Sequence, residues 1–564
     1  MSRVSASRLR RHEWMLSVVI AGFVLAGTAD ELHAQGDPLP HRAVVGFTAC
    51  VGCHGRSRDS VGNDALPLPS SSGDWILDNE VQTWARKDKH HQAYAVLFNK
   101  RSFDMGRLMK IESVHRDKRC LSCHTGYPQT LMPAVKQDLV DETWGLNTDV
   151  SFGITCEGCH GAGGDLASTG TAGDGWFRLH LPPLNPKRPW RFLDPKTKWE
   201  QHGYVDVRTP SSKARLCGTC HIGDAAKGRV VTHEMYAAGH PPLPGFEIAT
   251  FAAQMPVHWR SVASKSDRGP QKSRSEFLAK TADPFFSSDT YRIDSLHRTQ
   301  SMLVGALVSL AQSLELTAGL SGQATGGGSK WPELSQFECY ACHHDLKVPA
   351  WRQKRSNPAG VPGRPVLREW ATVLARVALG QPKQRVQFDS QWKQVHGVLA
   401  KTPFGSRSEL ARETSAIAKW LMAQAKQLER KPLTREDGRR VLLEIARVGA
   451  AGEIDYESSR QLVWACEVVF GELGRGDARE LKSLRAAGHV LTFPQRPFQL
   501  EGEMDMEKLS PEAKHFFDDR KPVEVDLSKL LPPIGNFDPS EVTKAFRAVE
   551  MAIKAWPPAK STSR

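Results

Sequence analysis

The sequence predicts a mainly α-helical protein in two parts, an irregular, loop-rich segment over residues 35–350 and a helical segment over residues 351–564. Two observations lead to this prediction. Residues 35–320 contain many Gly and Pro and few long periodic runs, whereas apolar residues beyond Trp351 recur at helical spacing. The chain has 564 residues, 40% of them hydrophobic and 24% charged, which is ordinary for a globular protein of two or three domains.

Residues 1–34 are predicted to be an export signal. Four arginines precede an apolar stretch from Trp14 to Gly27, which is shorter than the roughly 20 residues that a membrane span needs. The other interpretation is an uncleaved N-terminal anchor. Either way the chain is expected to be periplasmic or otherwise exported from a bacterium, and peripheral membrane association stays open. A net charge of +13 would also suit a nucleic-acid-binding protein, but export argues against that partner.

Ten of the eleven cysteines fall in five Cys-x-x-Cys pairs, and His follows each pair at once. Two thiols at this spacing can bond to the two vinyl groups of one haem, and the next residue then lies under the iron, where imidazole is the proximal ligand. The sequence therefore predicts five covalently bound haem c groups. The predicted attachment residues are Cys50 and Cys53, Cys120 and Cys123, Cys156 and Cys159, Cys217 and Cys220, and Cys339 and Cys342. The predicted proximal iron ligands are His54, His124, His160, His221 and His343.

Zinc sites and disulfide bonds also use paired cysteines. A structural zinc site needs a second pair to close it, and five pairs cannot be partnered evenly. Disulfides suit an exported protein, but neither alternative gives a reason for His after every pair. With 21 His in 564 residues, five such positions arise by chance with odds on the order of 10⁻⁷. Cys466 stands outside the motifs in an apolar helical stretch and is predicted to be a buried core thiol.

Four of the motifs and their surroundings resemble the tetrahaem cytochrome c-554 family, the electron acceptors of hydroxylamine oxidation. The segment Trp84–Leu97 is similar to that family's Trp…His-x-x-Ala…Leu segment, whose His is a distal haem ligand, so the resemblance implies this role for His90. The third motif, Cys-Glu-Gly-Cys-His-Gly-Ala-Gly, resembles the family's Cys-Glu-x-Cys-His-Gly-Pro-Gly. The segment Thr232–Pro241 resembles a ligand-bearing segment of related multihaem proteins.

The resemblance covers about residues 45–245 and departs from the family pattern in three ways. Ala162 replaces the usual Pro, and Leu166 stands where some relatives carry a distal His. A fifth motif follows the fourth after a long interval, which the tetrahaem arrangement does not provide for. There is no Cys-x-x-Cys-Lys, so a lysine-ligated catalytic haem is not indicated.

Ten histidines between residues 80 and 350 lie outside the proximal positions, which is enough to give each of five irons a second imidazole. Bis-His ligation is favoured over His-Met ligation because Met is not placed near each motif. The predicted distal ligands are His90, His240, His115, His180 and His233. His202 and His258 are interpreted as packed or surface residues rather than as ligands.

Helical periodicity dominates the second part of the chain. Leu296, Leu303, Leu307 and Leu310 lie within a predicted helix over about residues 294–319. Beyond residue 400, Leu410, Ile417, Leu421 and Leu428 share one face, and Thr434-x-x-Asp437 begins another helix in the manner of a capping box. About six helices fit before the Pro-rich end. No convergent group of catalytic side chains is recognisable there, so a packing or docking role is expected.

Three functions are compatible with these patterns. The first is electron transfer through mostly bis-His haems, with other cytochromes or a haem oxidoreductase as redox partner proteins. The second is an oxidoreductase in which one haem, at His124 or His343, lacks a distal ligand and acts on a small nitrogen compound. In the third, the haems are structural pins and the helical tail is the functional part. The sequence favours electron transfer, because it has enough histidines to close every site.

Overall fold

The structure of the chain, a computed structural model, confirms a mainly α-helical fold. The structure describes residues 42–55, 76–77, 79–129, 132, 139, 150–165, 174–180, 190–265, 273–322, 331–339, 342–343, 364–452, 454–488 and 537–557. Within these ranges, β-type pairing is limited to isolated bridges, such as the antiparallel bridge between Phe337 and Leu367. The predicted export signal, residues 1–34, lies outside the described residues, and so does the predicted boundary at residue 350.

The described helices differ in length between the first and second parts of the chain. In the first part they are mostly short: Thr48–His54, Glu80–Lys87, Lys100–Leu108, Lys118–His124, Cys156–His160, Trp176–Leu179, Pro195–His202, Pro210–His221, His233–Ala238, Ile248–Gln254 and Ser273–Lys280. Then come His297–Gly322, Trp370–Ala378, Pro382–Lys401, Arg407–Glu429, Arg435–Ala450, Tyr456–Glu472, Arg479–Ala487 and Pro539–Lys554. Short 3₁₀ turns, including Lys89–Gln92, Ala95–Phe98 and Leu334–Gln336, connect them.

The first four cysteine motifs each lie on a short helix that ends at the motif histidine. Side-chain caps begin several helices of this part of the chain. Asp117 accepts the amide hydrogen of Arg119, and Thr209 accepts that of Ser212 ahead of Pro210 at the first helical position. Local capping therefore fixes where the helices of the second and fourth motifs begin, and all four motif helices end at the motif histidine.

One long helix, His297–Gly322, called the central helix below, packs against both parts of the chain. It begins three residues later than predicted and ends three residues later. Its composition and length would suit a membrane span, with a mean hydropathy of 1.5, but 78% of that apolar window is buried inside the protein. Packing within the protein therefore accounts for its apolar residues, in accord with a helix that is hydrophobic all round.

Five helices of the second part share one hydrophobic core with the central helix: Trp370–Ala378, Arg435–Ala450, Tyr456–Glu472, Arg479–Ala487 and Pro539–Lys554. The predicted cap at Thr434 is confirmed, because Thr434 and Asp437 accept each other's backbone amide hydrogens as a capping box. Leu410, Ile417 and Leu421 are buried on one face of Arg407–Glu429, as predicted. Cys466 is fully buried in the core, also as predicted.

Two glutamates, the buried Glu429 and the half-buried Glu472, connect the second part of the chain to the first. Glu429 accepts hydrogen bonds from the amide (2.7 Å) and hydroxyl (2.9 Å) of Ser211, at the start of the helix that carries the fourth motif. Glu472 accepts the amide hydrogens of Arg298 and Thr299, both at 2.7 Å, at the start of the central helix. Negative charge at a helix N-terminus is stabilising, so Glu429 stabilises the start of the helix that carries the fourth motif and Glu472 stabilises the start of the central helix.

Candidate haem-binding site

Three pairs of histidine rings lie at nearly the same separation. The ring centres are 6.3 Å apart for His54 and His180, 6.3 Å for His90 and His221, and 6.2 Å for His233 and His343. Each pair joins the histidine of one cysteine motif to a histidine that the sequence predicts as a distal ligand. The rings of the first and third pairs are nearly parallel, at 20° and 25°, whereas those of the second pair are perpendicular at 88°.

This separation matches what two imidazoles on one metal require. An imidazole nitrogen lies about 2.0–2.1 Å from the metal that it binds, and ~1.1 Å from its own ring centre. Two imidazoles on opposite sides of one metal ion therefore have ring centres about 6.3 Å apart. That separation is at the long end of the range for ring contacts, and it leaves room for a metal between the two rings. The residues present therefore fit an iron with two axial histidines.

The Nδ1 atoms of several of these histidines are held by oxygen atoms. Nδ1 of His124 contacts the carbonyl oxygen of Ala93 at 2.6 Å, that of His180 contacts Trp176 at 3.1 Å, and that of His240 contacts Pro241 at 2.7 Å. A carbonyl oxygen can only accept, so these Nδ1 atoms carry the hydrogen. The Nε2 atoms are then free to bind a metal in a fixed orientation.

Carboxylates take the same position behind two other histidines. Nδ1 of His90 lies 2.9 Å from Oδ1 of Asp88, and Nδ1 of His54 lies 3.3 Å from Oε2 of Glu80. Burial alone would raise the pKa of Asp88, but the hydrogen bond and charge of His90 lower it below its ordinary value. Asp88 is therefore an ionised partner of His90. Sequence reasoning missed it, although it stands only two residues before His90.

The second and third motif histidines have other surroundings. The pKa of His240 is lowered to about 4, first by burial and next by the charge of His124. His124 therefore lies near His240. Burial and then the charge of His258 lower the pKa of His160 to about 4. The ring of His160 also stacks on Tyr204, with centres 5.3 Å apart and planes 10° apart. His258 was interpreted from the sequence as a packed or surface residue.

His115 is brought elsewhere. Its ring stacks on Phe98 with centres 4.7 Å apart, and its backbone carbonyl accepts a hydrogen bond from the Tyr94 hydroxyl at 3.2 Å. Ser113 contacts both of its ring nitrogens at 3.3 Å. His202 faces the carbonyl oxygen of Asp174 at 2.9 Å and the ring of Trp190. Both histidines therefore have packing partners of their own.

The cysteine motifs come together in two groups. The Cys50 thiol is hydrogen-bonded to Cys156, which raises its pKa, so the first and third motifs are adjacent. The Cys123 thiol is hydrogen-bonded to Cys220, which likewise raises its pKa and joins the second and fourth motifs. Cys339 and Cys342 of the fifth motif are exposed, whereas Cys50 is buried and the other motif cysteines are half-buried.

A single buried charge fastens each of these groups. Glu157, inside the third motif, accepts the amide hydrogens of Val45 (3.0 Å), Gly46 (2.9 Å) and Gly163 (2.7 Å), and so fixes the chain just before the first motif. Arg229 donates to the Ser122 carbonyl (2.9 Å), the Thr219 hydroxyl (2.5 Å) and the Gly126 carbonyl, and so joins the second and fourth motifs. Sequence reasoning assigned neither role.

Comparison with known proteins gives one match. Residues 77–161 match the family model described as cytochrome c554 and c-prime. The matched range contains the second and third motifs and His90, and it is narrower than the resemblance over residues 45–245. No curated protein and no solved structure matches the chain. With the motif chemistry and ring spacing described above, this match supports a c-type cytochrome that carries covalently bound haem c and takes part in electron transfer.

Proposed function

We propose that the chain is an exported cytochrome with five haem c groups, and that it passes electrons through bis-His sites to redox partner proteins. The observation that carries this proposal is the set of three histidine ring pairs at 6.2–6.3 Å, each joining a motif histidine to a distant one. Haem c, when bound, supplies an iron that alternates between the ferric and ferrous states. The chain supplies the ligands, their orientation and the surrounding charge.

The ring pairs assign axial ligands to three motifs. His54 and His180 serve the first motif, His221 and His90 the fourth, and His343 and His233 the fifth. His180 thereby takes the role that position 166 has in some relatives, where this chain has Leu166. Three irons with two imidazoles each are low-spin centres, suited to electron transfer because neither oxidation state needs a change of ligand.

For the remaining two motifs, a pairing is supported by the neighbouring histidine that helps to lower the pKa of one ring in each pair. His124 with His240 serves the second motif, and His160 with His258 serves the third. In this arrangement His115, which packs on Phe98, is not a ligand. All five motif histidines then have a distal partner, and the five sites are closed to small molecules.

The contacts between sulfur atoms support an order for the sites. The first motif adjoins the third, and the second adjoins the fourth. The helix His233–Ala238, called the ligand helix below, begins at a ligand of the fifth motif and is followed at once by His240, a ligand of the second. The fifth site is therefore connected to the group formed by the second and fourth motifs. An exported location and partners such as other cytochromes complete the proposal.

The experiment is a mass measurement combined with a ferric electron paramagnetic resonance spectrum of the purified full chain, made in a host that matures c-type cytochromes. We expect the mass of five haems and low-spin signals alone. A protein without covalent haem would contradict the proposal. N-terminal sequencing of material from the periplasmic fraction tests the export signal, because removal of about 34 residues is expected.

An oxidoreductase with one open haem is the second candidate. Within the described part of the chain, a ring pair at metal-binding distance is found for the first, fourth and fifth motifs, which leaves the second and third as places for an open iron. A high-spin ferric signal that shifts on addition of nitric oxide would favour this candidate. Such a site would act on a small nitrogen compound.

A further inference from the structure

A short antiparallel pairing holds Arg368 beside the fifth motif. Phe337 and Leu367 form an isolated bridge, the amide of Arg368 donates to the Gln336 carbonyl at 3.1 Å, and the amide of Glu338 donates to the Val366 carbonyl at 3.0 Å. The first cysteine of the motif follows directly after Glu338. The backbone of Arg368 is therefore fixed next to that cysteine by contacts that do not involve its side chain.

The guanidinium of Arg368 faces the place where the fifth motif would hold its haem. One of its nitrogens lies 3.7 Å from Sγ of Cys339, and its carbon lies 5.8 Å from the centre of the Tyr236 ring. Tyr236 stands on the ligand helix, three residues after His233, and its ring packs against His240 with centres 6.1 Å apart. Arg368 thus contacts a sulfur of the fifth motif and a ring between the ligands assigned to the fifth and second motifs.

A guanidinium is charged at every physiological pH, so Arg368 contributes a constant positive charge at this place. A nearby cation stabilises a ferrous haem relative to a ferric one, because the iron then carries one positive charge less. The carboxylate of Glu338 is the opposing charge in the neighbourhood, and it accepts the amide hydrogen of Glu369 at 2.8 Å. Arg368 and Glu338 therefore place two opposite charges near the fifth motif, and each charge can be removed by a separate substitution.

We propose that the positive charge of Arg368 raises the reduction potential of the fifth haem. This inference rests on the proposed function, since it needs a haem at the fifth motif. A purely structural role for Arg368 would instead be to hold the pairing of residues 336–339 with residues 366–369. The two roles predict different results. If Arg368 acts through its charge, Arg368→Lys preserves the reduction potential, whereas a purely structural role makes the potential independent of the charge at this position.

The test is a spectroelectrochemical titration of the full holoprotein and four variants. A Cys339→Ala/Cys342→Ala protein lacks the fifth attachment site and identifies which one-electron step belongs to it. In Arg368→Gln we expect that step to move to lower potential, so that the ratio of reduced to oxidised haem at the wild-type midpoint falls about five-fold. Arg368→Lys keeps the charge, so the ratio of reduced to oxidised haem at the wild-type midpoint should stay close to its wild-type value. Glu338→Gln keeps the hydrogen-bond acceptor and should move the same step to higher potential.

Arg412→Gln is the matched control, because Arg412 is an exposed arginine whose charge is paired with Glu413, and it should leave every step in place. A fifth step that stays unmoved in Arg368→Gln, in protein that carries five haems by mass, overturns the inference. If Arg368→Gln fails to mature, Arg368→Met replaces it, and an unmoved fifth step in that variant overturns the inference. Wild-type protein with fewer than five haems would contradict the proposed function instead, and the mass measurement separates the two outcomes.

Discussion

Nδ1 of His90 donates a hydrogen bond to Oδ1 of Asp88 over 2.9 Å, while the ring of His90 faces that of His221 at 6.3 Å. The side chain of Asp88 also accepts the backbone amide hydrogen of His90 at 3.0 Å, so one carboxylate fixes both the backbone and the ring. A carboxylate behind a ligating imidazole makes the imidazole more basic. In the proposed pairing, the fourth motif therefore has a more basic distal imidazole than a histidine whose Nδ1 donates to a carbonyl oxygen.

Replacing Asp88 by Asn should raise the reduction potential of the fourth site. The variant keeps a hydrogen-bond acceptor for Nδ1 but removes the negative charge, so the ferric state loses stabilisation. We expect a rise of roughly 40 mV, the one-electron equivalent of about 1 kcal/mol. Redox titration measures it, and Asp104→Asn, at an exposed carboxylate paired with Lys100, is the control. A fall in potential, or no change, would contradict this role for Asp88.

Features that depend on neighbouring residues can be predicted from the sequence. The predicted attachment cysteines and motif histidines follow from five consecutive residues, and the capping box at Thr434, which the structure confirms, follows from four. His180 and His233 are predicted as ligands, but which motif histidine each one faces depends on tertiary contacts. His233 and His343 are far apart in the chain, and only the folded protein brings their rings to 6.2 Å.

The residues that fasten the motifs together carried no comparable signal. Arg229 is one of many basic residues, and its three acceptors include two backbone carbonyls, which any sequence offers. Glu157 is part of the third motif, but its acceptor role depends on Val45 and Gly46, which lie more than a hundred residues earlier in the chain. Sequence reading relies on periodic patterns, and long-range hydrogen bonds between irregular segments produce no such pattern.

Replacing His180 by Ala should open the first site. His54 would keep its place at the end of its helix but lose the ring that faces it at 6.3 Å. We expect one of the five haems to become high-spin in the ferric state, visible by electron paramagnetic resonance, with the haem count unchanged because both cysteines remain. His202→Ala is the control, since His202 contacts Asp174 and Trp190 and should leave all signals low-spin. An unchanged spectrum in His180→Ala would remove His180 from the ligands.

Replacing Arg229 by Gln should loosen the contact between the second and fourth motifs. Arg229 is 4% exposed, and its loss would leave the acceptors on Ser122, Gly126 and Thr219 without their donor. Buried groups left without partners cost about 1–3 kcal/mol each, so the free energy of unfolding should fall by about 3 kcal/mol. Urea unfolding followed by circular dichroism measures this change. Arg107→Gln, at an exposed arginine paired with Asp104, should change it by less than about 1 kcal/mol.

Asp206 should make a pH-dependent contribution to stability. It is fully buried, 2.8 Å from Nζ of Lys198 and 2.6 Å from a guanidinium nitrogen of Arg208. Burial would raise the pKa of Asp206, but these two cations lower it far below its ordinary value. Since an ordinary aspartate titrates near pH ~3.9 in the unfolded chain, the stabilisation is fully present above that pH and is lost progressively as the pH falls below it.

Asp206→Asn leaves Lys198 and Arg208 without their common partner, and breaking a buried pair in this way costs about 3–5 kcal/mol. The difference in free energy of unfolding between wild type and Asp206→Asn should stay constant from pH 7 to about pH 5 and shrink by about 1 kcal/mol at pH 3. Urea unfolding across this range measures the difference. Asp538→Asn is the control. Asp538 is exposed and accepts the amide hydrogen of Ser540 at the start of Pro539–Lys554, so its replacement should cost less stability at pH 7 than Asp206→Asn does. If the difference in free energy of unfolding between wild type and Asp206→Asn grows toward pH 3, the prediction is wrong. Asp206 would then be protonated in the folded protein, because a carboxyl group whose pKa is raised by folding stabilises the fold at acid pH.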